Sequence, residues 1–205
     1  MSTNMRKQPK RPYRKRRRAA QENETRRRIT AATVDLHGSL GPARTTVSAV
    51  AARAGVQRAT VYRHFPDEQA LFDACSAHWM AANPLPELER WAQIGDPGER
   101  LRVALEQLYA WYEDGEYMLE KTTRDAATVE ALRPSMEAFA AWVAAATELL
   151  MRGRRSRRNR RETERAAIAH ALGFSTWHSL VREQGLDRVV AVGLMRELVA
   201  GAAGH

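Results

Sequence analysis

The side chains best suited to chemistry lie between Arg44 and His64, where polar and basic groups form two clusters around an apolar stretch. Hydroxyl groups and backbone donors typically bond phosphate oxygens, whereas long donors such as Gln and Arg also reach the edges of purine bases. These residue types therefore indicate binding to duplex DNA. The candidate DNA-binding residues are Arg44, Thr45, Thr46, Gln57, Arg58, Ala59, Thr60, Tyr62, Arg63 and His64.

Two short helices joined by a glycine turn are predicted to position these groups. Thr46 is suited to cap the first helix, whose apolar residues recur at helical spacing. Gly55 stands where a helix end favours a positive φ, so the chain turns sharply into a second helix over about 57–63. Val61 and Tyr62 are expected to lie inward or sideways on that helix, with the polar side chains outward. This is the layout of a helix-turn-helix, whose second helix enters the major groove.

The same stretch resembles the DNA-binding domain of the TetR family of bacterial transcription regulators. The matching motifs are T-V-x-x-V-A-x-x-A-G-V over Thr46–Val56 and A-T-V-Y-R-H-F over Ala59–Phe65. The resemblance spans roughly residues 22–80, and beyond it the chain matches mainly in length and helical pattern. It implies that the polar residues at the start of the first helix and along the second face DNA: Thr45, Thr46, Gln57, Arg58, Thr60, Tyr62 and His64.

Glu68 departs from the family pattern. The family usually has a Lys at this position, and that Lys commonly contacts a phosphate. A carboxylate in the first turn of a helix favours the helix itself. The reversed charge is therefore explained either by better helix capping at the expense of DNA affinity or by a position away from the DNA backbone.

The positive charge of the chain is concentrated at its N-terminus. Residues 1–20 contain nine Lys or Arg and no acid, which equals the net charge of +9 for all 205 residues. With almost no apolar content, residues 1–21 are predicted to be a disordered basic arm. The arm either follows phosphates or an adjacent minor groove, as homeodomain arms do, or is a solvated tail with non-specific affinity.

A second basic run covers residues 152–161. Here the favoured interpretation is a solvated loop between helices or a frayed helix start. Binding of an anionic ligand or of another protein is the alternative.

The rest of the chain is predicted to be helical. Expected helices cover 24–40, the segment from Asp67 to about residue 82, 98–114, a shorter one over 116–130, 134–151, 162–183 and 187–200. The predicted fold is therefore all-α: an N-terminal three-helix helix-turn-helix domain over 22–80 and a C-terminal helical bundle over 81–205 for ligand binding and dimerisation. The last two helices would leave an apolar face open to water, which favours a homodimer, and the family resemblance implies the same dimer.

The bundle also contains the candidates for a small-molecule site. Aromatic, Met and His side chains there would form an apolar pocket with a few polar groups, although each one alone is more often part of a core. The candidate ligand-binding residues are Trp111, Tyr112, Met118, Phe139, Trp142, Trp177 and His178, with Tyr117 as a further possibility. The resemblance implies an inducer that tilts the fourth helix and separates the reading helices of the dimer.

Other classes of function have little support. Cys75 is the only cysteine, so an intrachain disulfide is excluded and a reducing compartment is expected. No apolar run is long enough for a membrane span, which favours a soluble cytoplasmic protein. His170 and His178 are eight residues apart and no other ligands accompany them, so neither a metal site, a cofactor nor catalysis is expected.

The leading prediction is a sequence-specific repressor that binds a double-stranded DNA operator and is released by a small molecule. The alternative is an architectural protein that coats DNA through its basic arm without an inducer. A third interpretation, an enzyme or carrier that keeps an inherited DNA-binding domain, would be revealed by turnover of a bound ligand.

Overall fold

The computed structural model describes residues 11–155 and 158–204, and this part of the chain is helical without a strand. The predicted all-α class is confirmed. None of the helices in the described ranges is long and apolar enough to cross a bilayer.

Ten α-helices follow one another in the described ranges, linked in three places by short 3₁₀ turns (Pro42–Arg44, Glu130–Leu132 and Arg158–Arg160). They are α1 (Arg11–Ser39), α2 (Val47–Ala54), α3 (Arg58–His64), α4 (Glu68–Ala82), α5 (Leu88–Ala92), α6 (Pro97–Asp125), α7 (Arg133–Met151), α8 (Arg161–Ala171), α9 (Phe174–His178) and α10 (Arg188–Ala203). A π-helical turn, Ser179–Glu183, continues α9.

Local capping signals set the bounds of the helix-turn-helix. The Thr46 hydroxyl accepts a hydrogen bond from the Ala49 amide at 3.2 Å and so caps α2. Gly55 ends α2 with φ 64°, and its amide returns to carbonyls of the last helical turn. Asp67 caps α4 in the same way as Thr46 caps α2, because its carboxylate accepts a hydrogen bond from the Ala70 amide at 2.7 Å.

The N-terminal helices enclose a small apolar core of their own. Its buried side chains come from α1, α2, α3, the residue after α3, and α4: Ile29, Ala32, Val50, Ala51, Ala54, Val61, Phe65 and Leu71. Because α3 is only seven residues long, it is too short to be stable alone and depends on this packing.

The long helix α6 forms the centre of the C-terminal bundle. Its buried stripe of Leu101, Leu105, Leu108, Tyr109 and Tyr112 packs in one cluster with residues of α7, α8, α9 and α10. The spacing of this stripe agrees with the sequence-based expectation.

The expected division of this region into helices over 98–114 and 116–130 is wrong, because α6 runs unbroken from Pro97 to Asp125. Gly115 lies inside the helix rather than at its end. A Cβ there would lie 3.1 Å from the ring of Trp79, so the glycine allows α6 to approach α4 closely.

The expected helix over 162–183 is also interrupted. It ends at Ala171, and α9 starts again at Phe174. Two tyrosine hydroxyls of α6 satisfy carbonyls at this break, since Tyr109 donates to Ala171 O at 3.0 Å and Tyr112 donates to Leu172 O at 2.5 Å. Long-range hydrogen bonds therefore act at this break together with a local one, in which the Thr176 hydroxyl donates to the His170 carbonyl at 2.6 Å.

The expected disordered arm differs from the structure in its second half. Residues 11–21 are helical and continue α1, so the boundary expected at residue 21 lies within a helix. Residues 1–10 lie outside the described part, as do residues 156 and 157 of the second basic run. The described part of that run is not simply solvated, because Arg154 forms an ion pair with the buried Glu164 at 2.9 Å.

His37 is a buried polar group between α1 and α4. Its side chain is 3% exposed, lies 4.7 Å from the Phe72 ring and contacts the Cys75 sulfur at 3.4 Å. Burial lowers the pKa of His37 from 6.5 to about 4, with a smaller opposing effect of Asp125. The neighbouring thiol is also neutral, since burial raises the pKa of Cys75 to about 12.

This depressed pKa predicts a loss of stability in acid. Between pH 6.5 and 4 the unfolded chain binds a proton at His37 that the folded chain does not, so the contribution is complete above this window and is lost as pH falls through it. Between pH 7 and pH 5 the loss should be about 2 kcal/mol in urea unfolding. His37→Gln should remove this part of the pH dependence, whereas His78→Gln, an exposed histidine of α4, should retain it. An identical pH dependence in both variants would contradict the assignment.

Candidate nucleic-acid interface

The first turn of α3 presents polar side chains to solvent. The three consecutive residues Gln57, Arg58 and Ala59 are exposed. Val61, on the opposite side of the helix, is 1% exposed and belongs to the core. A small residue beside two long donors leaves room for a close approach to a base edge. In this geometry the buried side of the helix is fixed by the core, and its polar side is free to contact base edges.

Of the two residues expected to lie inward or sideways on α3, Tyr62 is on its exposed side. Its side chain is 49% exposed and does not support α3 from the inside. The support comes instead from Val61 and Phe65, which are both 1% exposed. Tyr62 and the neighbouring exposed Arg63 therefore share the open side of the helix with Arg58.

Two arginines of α1 hold the ends of this reading unit, and sequence reasoning missed them. Arg28 donates to the carbonyl of Ala54 and, at 3.4 Å, to that of Gly55. Arg26 donates to the His64 carbonyl at 2.7 Å, and its guanidinium lies 4.1 Å from the centre of the Phe65 ring. Cations at helix C-termini are favourable because the last carbonyls carry partial negative charge.

The threonines before α2 have different hydrogen-bonding capacities. Thr46 uses its hydroxyl oxygen as an acceptor, so its proton is free to be donated to a phosphate. Thr45 is half-buried and donates its own proton to the Gly41 carbonyl at 2.8 Å. While that bond persists, Thr46 rather than Thr45 is the hydroxyl donor available at this edge.

The remaining predicted DNA-binding residues lie on either side of this surface. Arg44 is exposed at the end of the 3₁₀ turn before α2. Thr60 is half-buried on α3. His64 is half-buried, and its Nε2 atom is buried without a hydrogen-bond partner among the described residues. Sequence reasoning grouped His64 with the outward side chains, whereas its ring is partly enclosed by the domain.

A hydrogen-bonded clasp joins the end of α6 to the turn that precedes α2. The Asp125 carboxylate accepts from the Ala43 amide at 2.9 Å and from Arg124 Nε at 2.7 Å. Arg124 also donates to the Leu40 carbonyl at 3.3 Å. The hydrogen bond from Arg124, aided by the Ala43 amide, holds the pKa of Asp125 below its usual value despite burial.

Gly41 makes room for this clasp. Its φ of 94° is in the left-handed region, and a Cβ there would lie 2.7 Å from the Asp125 carboxylate. The bundle and the helix-turn-helix therefore meet through a short, charged and tightly packed contact.

The predicted ligand-binding residues form an aromatic core inside the bundle. Six of the seven join with Trp91 in a continuous series of ring contacts, with centroids 5.6 to 6.2 Å apart. The series runs Trp91, Trp142, Phe139, Trp111, Tyr112, Trp177 and His178. Met118 is separate from it and packs near Gly38 of α1.

The centre of this aromatic core is closed, whereas Trp111, Phe139, Trp142 and His178 around it are half-buried. Tyr112 and Trp177 are 0% exposed. Three surface clefts of about 540, 330 and 310 Å³ have other linings, and none of the seven residues borders them. Trp177 Nε1 is buried and has no hydrogen-bond partner among the described residues, so the core contains one unused donor.

An apolar stripe is exposed along α10. Val190, Leu194 and Leu198 recur every four residues and are 55%, 36% and 53% exposed, and Val189 is 69% exposed. Such spacing places the three residues on one side of a helix. A contiguous apolar stripe on an isolated chain is typical of an association surface.

Comparison with known proteins identifies the N-terminal domain. The sequence model of bacterial regulatory proteins of the tetR family matches residues 29–75, which contain the complete α2–turn–α3 unit. No curated protein matches the chain by sequence.

Solved structures share the fold over most of the chain. A TetR-like transcriptional regulator from Rhodococcus sp. RHA1 is 21% identical, with a TM-score of 0.59 over 88% of this chain and 97% of that one. SmeT in complex with triclosan is 20% identical, with a TM-score of 0.60 over 87% and 90%. The multidrug binding protein EbrR in complex with imidazole is 23% identical, with a TM-score of 0.54 over 84% and 93%.

The clasp can be tested with a substitution that keeps its shape. Asp125→Asn removes the charge that Arg124 and the Ala43 amide bind, and should lower the free energy of unfolding by about 1 to 3 kcal/mol. Hydrogen exchange at the Ala43 amide should become faster for the same reason. Asp114→Asn, at an exposed position of the same helix, should change neither quantity. Equal effects of the two substitutions would show that the clasp does not stabilise the domain contact.

Proposed function

We propose that this chain, whose residues 29–75 are a DNA-binding domain of the tetR family on a fold shared with such regulators, is a homodimeric repressor that a small molecule releases from its operator. The observation that carries the proposal is the outward presentation of Gln57, Arg58 and Ala59 on a helix whose other side is core.

In this proposal α3 lies in the major groove and enters it with its first turn. Gln57 and Arg58 are the long donors at that end, suited respectively to adenine and to guanine edges. Thr46 and Tyr62 carry hydroxyl groups at the sides of the reading surface, where phosphates would lie. Arg44 and Arg63 add positive charge on the same side of the domain.

The exposed stripe on α10 supports the homodimer. A twofold axis between two copies of this helix would cover Val190, Leu194 and Leu198 with the same residues of the partner. The two copies of α3 would then read half-sites of a near-palindromic operator, about 34 Å or a multiple of that apart.

The ligand is proposed to enter the aromatic core between α6, α7 and α9. Structures of similar fold are complexes with triclosan and imidazole, which supports a small-molecule ligand for this chain. Because Tyr112 and Trp177 are fully buried, a ligand reaches them only when the surrounding helices separate. It would favour release from DNA by binding more tightly to that opened form.

The architectural alternative is supported by the basic N-terminal part of α1. Specificity separates the two functions: a repressor gives a discrete footprint and binds its operator roughly a thousandfold more tightly than random DNA, whereas an architectural protein coats DNA uniformly.

Selection of bound sites from genomic fragments, followed by affinity measurements on the selected site, tests the repressor. Arg58→Ala should weaken operator binding by about 1 to 3 kcal/mol and relax base preference at one position of each half-site. Arg90→Ala, which removes an exposed arginine of α5, should leave both unchanged. If Arg58→Ala instead weakens operator and random DNA equally, Arg58 contacts phosphate and the proposed reading role is wrong.

The dimer can be tested on α10. Leu198→Glu places a charge in the proposed twofold interface and should convert the species of twice 23.1 kDa to one of 23.1 kDa in sedimentation velocity. Ala144→Glu, at an exposed position of α7, should remain dimeric. A dimeric Leu198→Glu variant would place the interface elsewhere.

A further inference from the structure

The direction of α1 places its N-terminal part beyond the reading helix. Near its C-terminus α1 meets the bundle, since a Cβ at Gly38 would lie 2.6 Å from the Tyr117 ring of α6. Twelve positions earlier, Arg26 bonds the end of α3. The helix thus runs from α3 towards the bundle, and residues 11–23 extend past α3 on the side away from the bundle.

This extension is about 20 Å long, since a helix rises about 1.5 Å per residue. Its described side chains, from Lys15 onwards, are all exposed as far as Glu24. The described residues therefore provide no packing that would stabilise it or fix its role within this chain.

The extension carries positive charge around its whole circumference. Lys15, Arg16, Arg17 and Arg18 are consecutive, so they point in four directions about 100° apart. Ala19 and Ala20 are too small to form an apolar face. A helix with this surface fits neither an apolar protein groove nor insertion into a membrane, and fits a polyanion that meets it from the side.

Electrostatic repulsion weakens the helix, and such a partner would relieve it. Like charges three or four residues apart destabilise a helix, and the ion pair between Arg18 and Glu22 at 3.2 Å compensates only one cation. A duplex, with one negative charge per about 1.7 Å of its axis, would remove the repulsion and stabilise the helical form.

We propose that residues 11–23 bind the phosphates that flank each operator half-site as a continuous basic helix, rather than as an extended arm in the minor groove. The inference rests on the proposed function, because α3 in the major groove is what places a duplex beside the extension. It adds sequence-independent affinity and lengthens the footprint of each subunit.

Two sets of variants distinguish DNA binding by a continuous helix from DNA binding that depends on charge alone. Replacing Lys15, Arg16, Arg17 and Arg18 together with Gln keeps helix propensity and removes the charge. Because about two of the four cations can face the duplex, the slope of log affinity against log salt should become about 2 units less steep. Base preference should stay unchanged.

Ala20→Pro keeps all the charges and breaks the continuity of the helix nine residues before the buried Ile29. Relative to the wild type, the slope of log affinity against log salt should decrease by at least half as much as in the Gln variant. The operator footprint should also shorten. Ala20→Gln, which preserves the helix at the same position, should match the wild type. Thermal unfolding of each variant confirms that the domain core is intact.

The outcomes distinguish this inference from the proposed function. Operator preference in the wild type, together with an unchanged slope in Ala20→Pro, would show that the segment acts as an extended charged arm and would overturn the helical interface alone. An unchanged slope in the Gln variant would show that the segment does not touch DNA. A wild type with no preference for any selected site would overturn the proposed repressor and this interface together.

Discussion

Two guanidinium groups of α1 act together with the apolar core to fix the position of α3. Arg28 bonds the carbonyls at the end of α2, and Arg26 bonds the carbonyl at the end of α3. Helix ends leave carbonyls without intrahelical partners, and the two cations satisfy such groups with charge-assisted hydrogen bonds. A reading helix of seven residues has little stability of its own. Its orientation is therefore set by the apolar core on which it packs together with these bonds to α1, which can transmit a tilt of α1 to the surface formed by Gln57 and Arg58.

The same helix connects that surface to the bundle. Gly38 brings α1 against Tyr117 of α6, and the end of α6 bonds the Ala43 amide through Asp125. A displacement of α6 thus reaches the helix-turn-helix by two routes, one through α1 and one through the turn before α2. Both contacts are close-packed and directional, so they are suited to transmit a displacement between the two units. Coupling between a ligand and DNA then requires no contact between the ligand and α3.

The parts of the structure that the sequence could predict are those with local causes. Thr46 and Gly55 mark the ends of α2 by capping and by a positive φ, both of which depend on a few neighbouring residues. The uninterrupted α6 could not be predicted, because Gly115 serves a contact with Trp79, 36 positions earlier in the sequence. The roles of Arg26 and Arg28 could not be predicted for the same reason. In the sequence they are two arginines of a basic stretch, and only the fold shows which carbonyls they bond.

The aromatic core sets a chemical requirement for the proposed ligand. Tyr109 and Tyr112 use their hydroxyl protons on carbonyls of the α8–α9 break, whereas Trp177 Nε1 is buried without a partner among the described residues. An unsatisfied buried donor costs about 1 to 3 kcal/mol. A ligand with an acceptor placed at Trp177 would recover that energy only in the opened form. Moving an equilibrium from 1:99 to 99:1 takes about 5.5 kcal/mol of differential binding, so this bond supplies part of the shift. The larger part must come from apolar contact with ring faces that now pack on one another, which favours a flat apolar ligand with one well-placed acceptor.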